Sequence, residues 1–217
     1  MTADLFDGVG DIRPSEERIA DGAVLLRGFA GPLESELVSA LRAIEAQAPF
    51  RRMFTPGGHQ MSVAMTNCGA FGWVTDRKGY RYDAIDPESQ MPWPAMPRVF
   101  SQLSATAADR AGFRDFVSDA CLINRYEPGA RMSLHQDRDE QDYANPIVSV
   151  SLGLPAIFLF GGERRADRPQ RYRLEHSDVV VWGGPSRLFF HGVAPLADGE
   201  HAALGRARIN LTFRRAR

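Results

Sequence analysis

PIVSVSLGLPAIFLFGG, residues Pro146 to Gly162, decides how the fold is read. It holds two short apolar segments broken at Gly153–Pro155, which reads as two strands around a turn. The stretches around it follow the same pattern. ACLINRYEPGA (120–130) alternates and ends in a turn. DVVVWGGPSRLFFHGV (178–193) reads as a strand, a Gly-Gly-Pro turn and a second strand running through LFFHGV. ARINLTFRR (207–215) closes the series. Successive short strands punctuated by glycine and proline predict a β-sandwich or jelly-roll barrel over residues 115–217.

Two helices precede this region. Pro32 to about Ala46 carries an apolar stripe of Leu33, Leu37, Leu41 and Ile44. Pro97 to Ala111 carries Val99, Phe100, Leu103 and Ala107, with Gly112 as its stop. Between them, residues 50–94 are rich in glycine and in aromatics that look exposed: Phe71, Trp73, Tyr80, Tyr82 and Trp93. Such a segment reads as short strands and loops forming a lid. The expected class is α+β, one domain of 217 residues with flanking helices and a lid over a β-core.

Composition narrows the function less. The net charge of −1 gives no global field toward nucleic acid or membrane, so any such contact must be a local patch. Lys78 is the only lysine among 26 basic residues, which is an ordinary consequence of composition bias. Cys68 and Cys121 form no CxxC and imply neither a zinc knuckle nor a disulfide framework. MTADLFDGVGD lacks the apolar core of a signal peptide, and the most apolar stretch is too short and interrupted to span a bilayer. A soluble cytoplasmic monomer without membrane contact is expected.

The chemistry starts at SLHQDRDE (133–140). His135 and Asp137 are two residues apart and would project to one side of an extended segment; His191 comes later. Two imidazoles and one carboxylate are the ligand set of non-haem Fe(II) oxygenases, with coordination positions left open, although zinc accepts the same set. In the last strand Arg208, Asn210, Thr212 and Arg214 share one face, and Ile209, Leu211 and Phe213 share the other. If the polar face is buried, its guanidiniums require anions such as the carboxylates of 2-oxoglutarate; if it is wet, this is an amphipathic edge strand.

With these residues together, the sequence resembles the AlkB family of Fe(II)- and 2-oxoglutarate-dependent dioxygenases, in its bacterial DNA-repair type. The resemblance runs from about Gly22 to Arg215. TPGG, MSVAMTNCG, PWPAMP, DACLINRY, PGARMSLHQDRDE, IVSVSLGLPAIF, DVVVWGG and RINLTFR carry it. It implies a double-stranded β-helix (jelly-roll) core and a nucleotide-recognition lid over residues 50–94. It implies iron(II) held by His135, Asp137 and His191, with 2-oxoglutarate and O2 as cosubstrates. Asn124, Tyr126, Arg208 and Arg214 match residues that bind 2-oxoglutarate, and Asn210 lies on the same face. Trp73 matches an aromatic that stacks on the target base opposite His135, and Tyr80 a lid residue on the nucleic-acid backbone. Asp139 matches the acid that reads the exocyclic amine, Arg165 a residue near the pocket, and Met65 and Leu122 residues lining it.

The implied reaction is oxidative demethylation of bases such as N1-methyladenine and N3-methylcytosine in single-stranded or flipped-base DNA, with RNA as a further substrate. Formaldehyde, succinate and CO2 are released. Two positions depart from the pattern: His59 stands where a tyrosine is expected, and Ile209 where an aromatic is common. Arg51, Arg52, Arg77, Lys78 and Arg81, and the five arginines of ERRADRPQRYR (163–173), are candidates for phosphate contacts. Gln136, Arg138 and Glu140 fall on the alternate side and are expected at the surface. Two rival readings remain at this point: an oxygenase of the same fold acting on a protein or small molecule, and a non-catalytic nucleic-acid-binding module with structural zinc.

Overall fold

The computed structural model describes residues 15–217, so the stretch MTADLFDGVGD, read above for a signal peptide, lies outside the described residues. Thirteen strands and two α-helices follow one another from there. β1 (Glu16–Ala20) and β2 (Ala23–Leu26) form a hairpin, and α1 (Glu34–Gln47) follows. β3 (Ala64–Gly69), β4 (Gly72–Asp76) and β5 (Gly79–Asp83) come next, then α2 (Arg98–Arg110). The remaining strands are β6 (Ala120–Tyr126), β7 (Met132–His135), β8 (Ile147–Gly153), β9 (Ala156–Phe160), β10 (Gln170–Leu174), β11 (Val179–Trp182), β12 (His191–Val193) and β13 (Arg208–Arg214).

The strands form a seven-stranded sheet, β1-β2-β11-β8-β13-β6-β3, a four-stranded sheet, β10-β9-β12-β7, and the separate β4–β5 hairpin. Every pairing within them is antiparallel. From β6 onward the chain passes repeatedly from the large sheet to the small one and back. That alternation makes two facing sheets of one coiled path, the jelly-roll core expected from the strand pattern.

Side-chain alternation explains why the helices sit where they do. Ile209, Leu211 and Phe213 of β13 join Val148, Val150 and Leu152 of β8 and Ile123 of β6 in one apolar cluster. Leu37, Leu41 and Ile44 of α1 and Phe100, Leu103 and Ala107 of α2 complete it. The helices thus cover the outer face of the large sheet, with the stripes read from sequence, while Leu33 and Val99 pack only at its margin. Pro32 sits in a 3-10 turn just before α1, and Gly112 follows α2 at φ +90°, a left-handed conformation that suits a helix stop. β13 pairs with β8 on one side and β6 on the other. It is therefore a central strand, and the wet edge-strand alternative is excluded. No helix among the described residues is long and apolar enough to cross a membrane.

Three expectations change. The strand expected through LFFHGV begins only at His191, because a 3-10 turn at Gly184–Ser186 and irregular backbone precede it. Within residues 50–94, β3 is the edge strand of the large sheet, leaving β4–β5 and its flanking loops as the separate part. Tyr82 and Trp93 are buried, not exposed. Trp93 supports the hairpin from below: its indole N–H donates to the Asp83 carbonyl (2.9 Å), and its ring closes on Gly72, where a Cβ would approach it to 2.3 Å. Cys68 and Cys121 face each other across β3 and β6 as free buried thiols.

Gly72→Ala should therefore force Trp93 out of place. The expected cost is about 1–3 kcal/mol, the usual range for overpacking, read as a lower urea midpoint at unchanged slope.

Candidate active site

His135 ends β7, and His191 opens β12 directly opposite it in the ladder. The pairing brings their ring centroids within 4.4 Å. Each ring faces a main-chain carbonyl two residues earlier, His135 Nδ1 to Ser133 O (2.9 Å) and His191 Nδ1 to Phe189 O (3.0 Å). A carbonyl only accepts, so Nδ1 carries the proton and each Nε2 keeps a free lone pair. This is how metal-binding histidines are normally oriented. Enclosure, and then His191 nearby, push His135 down to about 4, so the ring is neutral and able to ligate at physiological pH.

Asp137 lies two residues beyond the end of β7, on a loop and not on the extended segment expected. Its Oδ1 is 3.6 Å from His135 Nε2 and its Oδ2 3.6 Å from His191 Nε2. Arg214, at the end of β13 in the other sheet, donates Nε (3.1 Å) and a terminal nitrogen (2.7 Å) to Oδ2. Burial pushes the Asp137 carboxyl up, but Arg214, with the histidines, outweighs it and holds the group well below the usual carboxylate range. Two imidazoles, each with Nδ1 directed at a carbonyl and Nε2 inward, and one anionic oxygen donor thus converge, as iron(II) in a facial site requires.

A second group, Glu34, His176 and His201, brings ligand atoms equally close together. Its hydrogen bonds run the opposite way. His176 Nδ1 accepts from Gly153 N–H (2.9 Å), and His201 Nδ1 accepts from Ala203 N–H (3.3 Å). In the neutral rings the protons then sit on Nε2, where a metal would have to bind. This cluster fits a carboxylate–imidazole contact, not a metal.

The inner face of the large sheet has the polar residues predicted from the alternation. Across β13 and β6, Arg208 opposes Tyr126, Asn210 opposes Asn124 and Thr212 opposes Leu122. Asn210 is held by Ser149 Oγ (2.8 Å), the Val150 carbonyl and the Thr212 hydroxyl, while Asn124 Oδ1 has no partner. Arg208 is 1% exposed. One of its nitrogens donates to Ser151 Oγ (2.9 Å) and its guanidinium lies 5.0 Å from the Tyr126 ring centroid, yet Nε and the other terminal nitrogen are unpartnered. Among the described residues no carboxylate neutralises it. A buried guanidinium with two idle donors fits one end of a dicarboxylate.

At the mouth, the Trp73 indole N–H donates to Asp139 Oδ2 (2.7 Å), and the ring stacks on Tyr80 at 5.6 Å and 18°. Tyr80 is 49% exposed. Met65 and Leu122 are buried in one apolar cluster with Tyr126, against which Trp73 packs. Arg165 is exposed, 5.9 Å from the Phe190 ring centroid. Several candidate phosphate contacts are already paired: Arg51 with Asp86, Arg52 with Glu127, Arg81 with Asp76, Arg164 with Asp167 and Arg173 with Glu175. Arg77, Lys78, Arg168 and Arg171 are exposed and carry no ion pair among the described residues.

Glu140 overturns its expectation. Alternation predicts it at the surface, but β7 ends at His135 and the loop turns Glu140 inward. Its side chain is 2% exposed, paired with Arg187 (3.0 Å). It also accepts from the Tyr82 hydroxyl (2.6 Å). No sequence signal marked Arg187 or Tyr82 as its partners, because the three lie on separate segments.

Replacing an unneutralised buried cation should not harm the empty protein. Arg208→Met is expected to unfold at or above the wild-type temperature without ligand. Once Mn(II) is bound, saturating 2-oxoglutarate should add about 3 kcal/mol to the wild type at a hundredfold excess over its Kd and little to the variant, whose metal triad is intact, as read by calorimetry.

The comparisons agree with this geometry. The sequence matches the 2OG-Fe(II) oxygenase superfamily over residues 22–214. It is 57% identical over 212 residues to the alpha-ketoglutarate-dependent dioxygenase AlkB of Escherichia coli (strain K12), covering 98% of each chain. The DNA N(6)-methyladenine demethylase ALKBH1D of Arabidopsis thaliana is 31% identical over 226 residues, 90% of this chain and 50% of that protein. The structure of OsALKBH1 superposes with a TM-score of 0.81 at 28% identity, covering 92% of this chain and 99% of that one. The chain belongs to the 2OG-Fe(II) oxygenase superfamily and, within it, to the AlkB-type alpha-ketoglutarate-dependent dioxygenases.

Proposed function

We propose that this enzyme demethylates N-alkylated bases, such as N1-methyladenine and N3-methylcytosine, in DNA. The observation that carries the reading is the presence together of three parts. They are a metal-competent triad, a buried arginine with no carboxylate partner among the described residues, and an aromatic–acid pair, Trp73 and Asp139, whose acid lies two residues beyond Asp137. The first two serve any oxygenase of this fold. The third has the chemistry of base recognition, and favours nucleic acid over a protein or small-molecule substrate. The kinship to a DNA demethylase supports the same choice. The zinc-module alternative is disfavoured, since a structural zinc needs four protein ligands and three converge among the described residues.

His135, Asp137 and His191 would hold iron(II), and Arg208, with Asn124 and Tyr126, would hold 2-oxoglutarate. When bound, iron, 2-oxoglutarate and O2 supply the oxidising power that no side chain has: one oxygen atom enters the N-methyl C–H bond and the other leaves in succinate, with CO2 released. The N-hydroxymethyl product then loses formaldehyde and a proton, restoring the neutral base. The protein's own work is binding and orientation. Arg208 fixes the distal carboxylate by a charge-assisted contact, and the Tyr126 ring above its guanidinium limits its movement. Arg214 holds Asp137 ionised and directed at the histidines.

A base inside a duplex cannot reach this interior, so the target must be flipped out or single-stranded. The lesions themselves block pairing and lower that cost. They are also cationic, and a cation is favoured against the Trp73 face and the Asp139 carboxylate. Asp139 spends one oxygen on the Trp73 indole, leaving Oδ1 for the exocyclic amine. It would thus orient the ring and read the base together. The exposed Tyr80, Arg77 and Lys78, the last two at the hairpin tip, would meet the backbone phosphates.

Anaerobically purified protein with iron(II), 2-oxoglutarate and a methylated oligonucleotide, exposed to air, should lose 14 Da per lesion, about one CH2 unit, and form succinate in step. Asp139→Ala should slow loss from single-stranded N1-methyladenine about tenfold or more, with 2-oxoglutarate binding unchanged. Succinate without methyl loss would favour a different substrate. RNA and duplex oligonucleotides in parallel define the preferred strand.

A further inference from the structure

Glu140 is a buried carboxylate to which none of the steps above assigns a task. We propose that it is a positioning residue for the metal-binding carboxylate Asp137, and that it ties the β4–β5 hairpin to that ligand. The inference rests on the active-site reading above.

Two buried guanidiniums converge on Asp137. Arg214 grips the carboxylate, and Arg187 donates to the Asp137 main-chain carbonyl (2.8 Å). Glu140 lies between these two cations. One of its oxygens accepts from Arg187 (3.0 Å), and the other lies 3.4 Å from Arg214 Nε. Two positive and two negative groups therefore balance in one enclosed cluster. Without Glu140, Arg187 would keep no carboxylate among the described residues, only the carbonyls of Asn145 and Asp137 and the Tyr143 ring, and Arg214 would keep Asp137 as its one carboxylate there.

The consequence for a metal is electrostatic. Asp137 divides its negative charge between the metal and Arg214, and the stronger its pairing with Arg214, the less it offers the metal. Glu140 gives Arg214 a second anion and so relieves that pull. Removing its charge leaves a net positive cluster beside the place where a dication must bind. Partners behind a metal ligand commonly change metal affinity by about 10–100-fold.

The link to the hairpin is the Tyr82 hydroxyl, which donates to the same Glu140 oxygen that faces Arg214. Burial, with Glu140 nearby, pushes the Tyr82 phenol well above its ordinary range, so it remains a donor. Tyr82 is the ladder partner of Trp73. The strand pair carrying the base-stacking candidate is thereby fastened to the cluster that orients the metal ligand.

Co(II) binding to metal-free protein, followed by its visible absorption, tests this apart from turnover. Glu140→Gln keeps the shape and removes the charge; its Kd should rise about tenfold or more. Tyr82→Phe removes one hydrogen bond and no charge; its Kd should rise about threefold. Glu140→Asp, which returns a carboxylate, should recover part of the loss. Wild-type Kd values in both the Gln and the Phe variants would overturn the proposal, and Tyr82→Phe decides alone if Glu140→Gln does not fold. A wild-type protein that binds no Co(II) would instead overturn the active-site reading itself.

Discussion

The ion pair between Asp137 and Arg214 is the contact on which the site depends. Asp137 hangs from the end of β7 in the small sheet, and Arg214 ends β13 in the large one. Their pairing closes one end of the jelly roll and fixes the loop that carries the carboxylate. It also solves an energetic problem. Each charge is enclosed, and alone each would be costly; together they stay ionised, and the carboxylate faces the Nε2 atoms of two imidazoles. Arg208, six residues earlier on the same face, stands in the opposite condition. It is as deeply enclosed but has no anion among the described residues. One strand thus carries a cation satisfied by the metal-ligand candidate Asp137 and, six residues earlier, an unsatisfied one that would receive a cosubstrate carboxylate.

Fold and ligand set were legible in the sequence for a simple reason. Period-two alternation on β13 and β6 and the apolar stripes of the helices are local signals, and the structure uses them as written. What failed was alternation carried past the end of a strand. Once β7 stops at His135, residue parity no longer predicts direction, so Glu140 turned inward. The same error extended β12 backward through Leu188. Partners from distant segments, such as Tyr82 and Arg187 around Glu140, leave no trace in spacing. Of the aromatics in residues 50–94, Tyr80 is exposed as expected, whereas Tyr82 and Trp93 are buried; Gly72 leaves room for the Trp93 ring, a contact that spacing does not reveal.

The two histidine clusters show why proximity alone does not define a metal site. Both bring three ligand atoms together. The neighbours of Nδ1 decide between them, a carbonyl in one case and an amide N–H in the other. The ladder register of β7 and β12 produces the first arrangement. At the mouth, the hairpin carrying Trp73 and Tyr80 is attached through side chains, by Trp73 to Asp139 and Tyr82 to Glu140. Both acceptors lie in the loop that also carries Asp137, so substrate recognition and metal orientation share one short segment.

A crystal grown without oxygen from Mn(II) and 2-oxoglutarate tests the central claim most directly, by the position of the manganese anomalous peak. The account predicts one peak between His135 Nε2, Asp137 and His191 Nε2, with Arg214 still on Asp137 and a 2-oxoglutarate carboxylate on Arg208. A peak at Glu34, His176 and His201 instead, or a cosubstrate that leaves Arg208 without an anion, would contradict it.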